Sequence, residues 1–229
     1  MDGSETIDPE GYIKSRGLKF PKDDTYLTRK VRRVLRENAY ERALTAAALK
    51  ATREGDTVLD LGCGLGFVAG MLAKRRKVVA IHGYDGNAAP LVYAEAMLAT
   101  NGFKNVTLTH AVLGKRKSTV PFYIRTPFAA SSLAPHKGEN ARETTVEMHN
   151  FQTTLAALKP TVIICDIEGG EADLLDGASL KSVRHLVVKL HPKNIGHAGM
   201  RKLFNSVTAA GLAYDPRISA GRIIGFVAA

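Results

Sequence analysis

Between Val58 and Gly66 the chain reads Val-Leu-Asp-Leu-Gly-Cys-Gly-Leu-Gly: an apolar run, an acid, and then glycines at alternate positions. Few arrangements accept such a run. The glycines permit a tight turn and let the backbone approach a ligand closely. A helical pattern from about Gly66 to Lys74 follows, and its first turn offers unpaired N–H groups and a positive dipole end. The segment therefore predicts a buried strand over Thr57–Leu61, a turn, and a helix, the unit from which α/β sheets are built.

The rest of the chain repeats this texture. Residues 1–27 are polar, with turn formers at Pro9-Glu10-Gly11 and Pro21-Lys22-Asp23-Asp24, and one helix is expected from about Thr28 to Ala51. After the glycine turn, strands are expected over Lys77–His82 and Asn105–Val112, with a helix over Ala88–Thr100 between them. Thr119–Ile124 and Thr144–Met148 alternate with period two and can pair across a long loop. Thr161–Ile167 is nearly all apolar, as in a strand buried on both faces. A helix over Leu174–Leu180, a strand over Leu186–Leu190 and a helix over His197–Ala210 come next. Leu212–Tyr214 and Arg222–Val227 are expected to close the sheet as an antiparallel pair. Strands alternating with helices imply a mainly parallel sheet with helices on both faces. The expected division is a basic helical extension over 1–50, packed on a core domain over 51–229.

Three ligands compete for the glycine turn. A phosphate loop needs Gly-Lys-Ser/Thr, which is absent. A dinucleotide loop needs a glycine or alanine five residues after the first glycine, and Phe67 stands there. S-adenosylmethionine fits better: its ammonium can meet Asp60 and its carboxylate can meet backbone N–H groups. An acid ending the next strand can accept both ribose hydroxyls, and Asp85 stands at that place.

Composition bounds the rest. No run approaches the roughly 18–20 apolar residues of a membrane span, and the polar start is unlike a signal peptide. Cys63 and Cys165 have neither metal-site nor disulfide-framework spacing, so a cytoplasmic location is expected. The formal charge is +10, concentrated in a basic segment from Lys14 to Arg36. Such a field suits nucleic acid, an anionic surface or an acidic substrate, and equally suits a solvated surface.

The second informative stretch is Asp166-Ile167-Glu168-Gly169-Gly170-Glu171, three acids closing an apolar strand. Ligands of open α/β sheets bind outside the carboxyl ends of the strands, near the switch in strand order. Asp60, Asp85, Asp166, Glu168 and His191 are all expected along that edge. Glu171 also reads simply as a helix-start acid.

These residues resemble the FkbM family of methyltransferases. The resemblance spans roughly Leu18 to Tyr214 and rests on Tyr40-Glu41, Asp60–Gly66, Asp166–Glu171, Leu175-Asp176-Gly177-Ala178 and His191-Pro192. It implies a Rossmann-like class I methyltransferase fold with a seven-stranded sheet, and O-methylation with S-adenosyl-L-methionine. It further implies that Asp60, Gly62, Gly64 and Gly66 hold the methionine part and that Asp85 and Asn87 hold the ribose. His110, Ala111 and Val112 would lie near the adenine, and Glu41 would reach in from the preceding helix. The chain departs from the family pattern at Asp85-Gly86, where Glu-Pro is usual, at Ile164 in place of a lysine, and at Lys189 in place of a glutamate.

Methyl transfer to a hydroxyl needs in-line positioning and a base within hydrogen-bond reach. Asp166, Glu168 and His191 are the candidates. No residue is assigned to a metal, although Asp166 and Glu168 are hard donors that a divalent cation accepts. The expected acceptor is a small molecule or glycan, with RNA as the alternative because of the basic segment. A nucleotide-binding scaffold without catalysis is a third reading. The long stretch Pro127–Arg142, carrying Ser131, Ser132 and His136, has the length of a lid or binding loop.

Overall fold

The structure is a computed structural model that describes residues 11–126, 128–134 and 141–229. It opens with a hairpin of β1 (Tyr12–Ser15) and β2 (Leu18–Pro21), followed by α1 (Arg29–Arg36) and α2 (Arg42–Ala51). Next come β3 (Thr57–Leu61), α3 (Phe67–Arg75), β4 (Ala80–Asp85), α4 (Ala88–Thr100) and β5 (Val106–His110). A separate group of β6 (Val112–Gly114), β7 (Ser118–Ile124) and β8 (Arg142–Asn150) intervenes, then α5 (Phe151–Leu158). The chain finishes with β9 (Val162–Cys165), α6 (Glu171–Leu175), β10 (His185–Lys189), α7 (Pro192–Ala209), β11 (Leu212–Tyr214) and β12 (Ile223–Ala228).

Seven strands form the main sheet in the order β11-β12-β10-β9-β3-β4-β5. Neighbours from β10 to β5 run parallel, while β12 lies antiparallel to both β10 and β11. From β3 the chain builds outward through β4 and β5, then returns to lay β9 on the other side of β3. The strand order switches between β3 and β9, and a crevice opens at their carboxyl ends.

The sheet is covered on both faces. Leu59, Ile163, Leu186 and Val188 pack with Leu175, Leu203, Val207 and Phe226 on one side. On the other, Val58, Ile164 and Val187 pack with Leu44, Ala48, Ala69 and Leu72. Both faces of β9 are filled, which is why Val162–Cys165 carries no polar alternation.

Several elements differ from the sequence expectation. Residues 11–27 are not a polar lead-in, for the hairpin buries Ile13, Leu18 and Phe20 against Phe67, Met71 and Met97; Pro9 and Glu10 of the expected turn lie outside the described residues. The single helix expected over 28–51 is two, because Asn38 and Glu41 take left-handed backbone (φ 54° and 43°). That turn is fixed by the Arg16 guanidinium, which donates to the carbonyls of Asn38 and Tyr40 at 2.7 and 2.9 Å. The second parallel strand starts at Ala80, beyond the basic run, and reaches Asp85. The strand expected over 105–112 breaks after His110, and Val112–Gly114 pairs with β8 instead. β7 and β8 do pair, antiparallel, with Val120 opposite Val146. Helix α6 begins at Glu171 and stops before Gly177, whose φ of 72° is left-handed. Helix α7 begins at Pro192, with a kink at Gly196 (φ 61°, ψ −177°). Helix α5 has no counterpart in the sequence reading.

Candidate active site

The glycine turn sits at the switch point. The N–H groups of Gly62 and Cys63 donate to the Tyr84 carbonyl at 2.8 and 3.2 Å, and the Asp166 N–H donates to the Leu61 carbonyl at 2.8 Å. These bonds draw the ends of β3, β4 and β9 together. A β-carbon on Gly62 would stand 1.9 Å from the Asp166 carbonyl oxygen, and φ there is 79°. Gly62 and Gly64 line the cavity above the turn. Gly66 does not; its α-carbon faces Ala94 and Met97, so its small size serves the packing of α3 on α4.

Asp60 lines the same cavity at 2% exposure, and its Oδ2 has no hydrogen-bond partner among the described residues. Burial, reinforced by the nearby charges of Asp166, Asp85 and Glu41, pushes its carboxyl up to about 7. A buried acceptor of this kind calls for a donor, and a cationic donor satisfies it best. Asp85 is held from both sides: Oδ2 accepts from the Gly64 N–H at 2.9 Å and Oδ1 from the Asn87 N–H at 2.8 Å. Burial raises its pKa, while these two bonds pull it back.

Three residues expected at the cofactor stand one step behind the cavity wall. Asn87 caps α4, accepting from the Ala89 N–H, and is buried. His110 holds the Gly86 carbonyl through Nε2 at 3.1 Å. Gly66 is the third. Ala111 and Val112 do line the cavity, with Leu113.

The acid turn forms the opposite wall, where Asp166 and Glu168 both face the cavity. Lys189 Nζ lies 2.7 Å from Asp166 Oδ2 and 3.2 Å from Glu41 Oε1, so the Glu41 side chain reaches this cluster. Burial opposes the Lys189 charge, but the two carboxylates outweigh it and raise its pKa. Burial likewise lifts the Asp166 carboxyl to about 6, against the pull of Lys189. His191 is 5% exposed and stands behind the turn. Its Nδ1 meets Glu171 Oε1, and its Nε2 approaches Asp166 Oδ1 at 3.3 Å and Glu168 Oε1 at 3.1 Å. The Nε2 approaches are at ion-pair distance and off hydrogen-bond direction, since neither Nε2 nor Asp166 Oδ1 completes a directed bond. Burial works against the imidazolium, yet the Glu168 and Glu171 carboxylates beside it raise its pKa to about 9. Glu171 is fully buried. Its position at a helix start explains the residue's place, and its contact with His191 explains the burial.

Aromatic residues and the segment carrying Ser131 and Ser132, expected as a lid or binding loop, complete the cavity. Tyr40 and Phe67 meet edge to face at 5.2 Å between centroids. Tyr84, Phe122 and Phe128 add aromatic walls, and Ser131, Ser132 and Leu133 close one side. Arg125 fastens this last segment, donating to the carbonyls of Ala130 and Ala134 at 3.0 and 2.6 Å and to the Ser132 hydroxyl at 2.8 Å. His136, singled out with this loop, lies outside the described residues. Among the described residues no helix is long and apolar enough to cross a membrane.

Residues 42–126 match the family model of the methyltransferase small domain. No curated protein sequence matches the chain. Among solved structures, the chain is similar to a precorrin-6y C5,15-methyltransferase from Geobacter metallireducens GS-15. The TM-score is 0.52 and the identity 14%, over 92% of this chain and 94% of that one. It is also similar to a ribosomal protein L11 methylase from Lactobacillus delbrueckii subsp. bulgaricus, with a TM-score of 0.51 and 17% identity over 82% and 77%. These likenesses establish the Rossmann-like methyltransferase fold. With the family match covering the glycine turn and Asp85, the chain is an S-adenosylmethionine-dependent methyltransferase.

Proposed function

We propose that the chain methylates a hydroxyl group on a small molecule or glycan, as an O-methyltransferase of the FkbM type. The carrying observation is the pairing of the unsatisfied Asp60 carboxylate with the Asp166–Glu168 wall across one cavity. In this reading Asp60 meets the cofactor's ammonium, and Gly62 and Gly64 let the backbone approach its methionine part. Asp85 takes the ribose hydroxyls, with Ala111 and Val112 beside the adenine. Asn87, His110 and Gly66 hold these groups in place from behind. Residues 1–50 act as an extension packed on the methyltransferase domain over 51–229.

When bound, S-adenosylmethionine supplies an electrophilic methyl group. The chain's own part is to orient an acceptor oxygen in line with it, to exclude water and to take up the hydroxyl proton. Asp166 is the member of the wall best matched to hold that proton, since it faces the cavity and its carboxyl is lifted to about 6. His191 sets the geometry of Asp166 and Glu168 from behind. The resemblance to the FkbM family, which supports this reading, draws on Asp166–Glu171, Leu175–Ala178 and His191-Pro192.

A methyl-labelled cofactor offered with panels of glycans, hydroxylated metabolites and RNA tests the reading. Label on a hydroxyl of the first two classes supports it, and label on RNA alone would replace it. RNA is the second reading because α1 exposes Arg29, Lys30, Arg33 and Arg36 together; binding through that face would weaken steeply with salt.

A further inference from the structure

We infer that Asp166, Glu168 and His191 form a divalent-cation site at the acceptor end of the cavity. One ligand atom from each lies within 4.8 Å of the other two. His191 Nε2 stands 3.3 Å from Asp166 Oδ1 and 3.1 Å from Glu168 Oε1. Metal–ligand bonds of about 2.1–2.2 Å at right angles place neighbouring donors about 3.0–3.1 Å apart, so His191 Nε2 is spaced from each of the two carboxylate oxygens much as neighbouring donors of one coordination shell are.

The surroundings are built for the same purpose. His191 is 95% buried, yet its Nε2 completes no hydrogen bond, and neither does Asp166 Oδ1 beside it. Both unpartnered atoms belong to the proposed shell. Glu171, fully buried, engages His191 Nδ1; a carboxylate there fixes the tautomer that leaves Nε2 as the donor to a metal. Lys189 occupies Asp166 Oδ2 and leaves Oδ1 free. Glu168 is held in left-handed backbone (φ 51°), with its carbonyl accepting from Asn194 Nδ2 at 3.0 Å. Four carboxylates gather around two basic groups, Glu41 and Asp166 at the Lys189 ammonium and Glu168 and Glu171 at the His191 ring. In a chain of net charge +10 this local excess of negative charge is left for a cation. One imidazole with two carboxylates suits a divalent ion of mixed nitrogen and oxygen preference, such as Mn²⁺ or Zn²⁺.

Asp166 and Glu168 face the cavity, so the open coordination positions do too. The acceptor class that fits is one offering a hydroxyl or another hard oxygen as a ligand. This consequence rests on the methyl-transfer reading: Asp166 would then act on the acceptor through the ion rather than by holding its proton.

The test is Mn²⁺ titration of the chelator-stripped full chain, followed by the loss of the free-ion electron paramagnetic resonance signal. Cofactor binding is measured by calorimetry on the same sample. One tight site per chain is expected, weakened at least 10-fold by Glu168→Gln, a change at the cavity surface that leaves the core intact. Glu171→Gln is expected to weaken it 10–100-fold through loss of the histidine's orienting partner. Absence of saturable Mn²⁺ binding, or binding unchanged in Glu168→Gln, overturns the inference. Cofactor binding without metal would remove this site alone, whereas metal binding without cofactor binding would remove the methyl-transfer reading and leave the site.

Discussion

Lys189 Nζ lies 2.7 Å from Asp166 Oδ2 and 3.2 Å from Glu41 Oε1, tying the end of β10 to the acid turn and to the start of α2. Here it is the cation that lets two carboxylates share one wall. Lys189→Ala removes the nearest cation from both acids in a largely buried place. A loss of about 2–4 kcal/mol in unfolding free energy is expected, read by urea denaturation. A loss below about 0.5 kcal/mol would show that solvent already screens the pair.

Glycine is required at position 62 by two independent constraints, a positive φ and an Asp166 carbonyl 1.9 Å from any β-carbon. Gly55 shares the positive φ, at 83°, but has open space around it. Gly55→Ala is expected to cost about 1 kcal/mol, and Gly62→Ala more than about 3 kcal/mol together with cofactor affinity. Equal costs in chemical denaturation would mean that the strand ends can part.

Arg125 acts at a distance from the cofactor by tying down residues 130–134. Without it that wall has to be ordered on binding, at about 0.5–1.5 kcal/mol for each side chain fixed. Arg125→Ala is therefore expected to raise the cofactor's Kd about 3–10-fold in calorimetry. An unchanged Kd would show that the segment is held by its other contacts.

At the far end of the sheet Asp56 joins the starts of β3 and β9. It accepts from the Arg53 N–H at 2.7 Å, the Thr161 hydroxyl at 2.8 Å and the Arg184 guanidinium at 2.6 Å. Burial alone would raise its pKa; these donors outweigh it and hold the carboxyl below its ordinary value. A lowered folded pKa contributes stability above the unfolded value of about 3.9, and that stability is lost as pH falls through the folded value. Asp56→Asn is expected to lose about 2–4 kcal/mol at pH 7, with wild type and variant converging in strong acid and cofactor affinity unchanged. A gap that persists at the lowest pH would point to packing rather than charge.

The parallel strands were legible because β9 and β10 fill both faces and so carry continuous apolar runs, and because the alternate glycines mark the switch point. The amino-terminal hairpin was not legible: Ile13, Leu18 and Phe20 are separated by Lys14, Arg16 and Lys19, so that no apolar run announces a buried strand. The break between α1 and α2 was hidden because its cause, Arg16 donating to Asn38 and Tyr40, is more than 20 residues away in sequence. At the site, Asp60, Asp85 and Asp166 could be placed because each closes a strand on one sheet edge. Gly66, Asn87 and His110 could not be told from cavity-lining residues, since their part is local: one packs a helix, one caps a helix, and one holds a carbonyl. Lys189 read only as a departure from a pattern until Glu41 and Asp166 stood beside it.

The central claim is that the unsatisfied Asp60 carboxylate meets the cofactor's ammonium. Calorimetry with S-adenosylmethionine on wild type and Asp60→Asn tests it most directly, with thermal unfolding of both proteins as the control. Wild type is expected to bind at one saturable site and Asp60→Asn at least about 30-fold more weakly, the loss of one charged hydrogen bond of about 2 kcal/mol or more. Because burial lifts the Asp60 carboxyl to about 7, ionising it near neutrality opposes folding, so the variant is expected to melt no lower than wild type at pH 8. Equal affinity of the two folded proteins, or no saturable binding by wild type, would contradict the account.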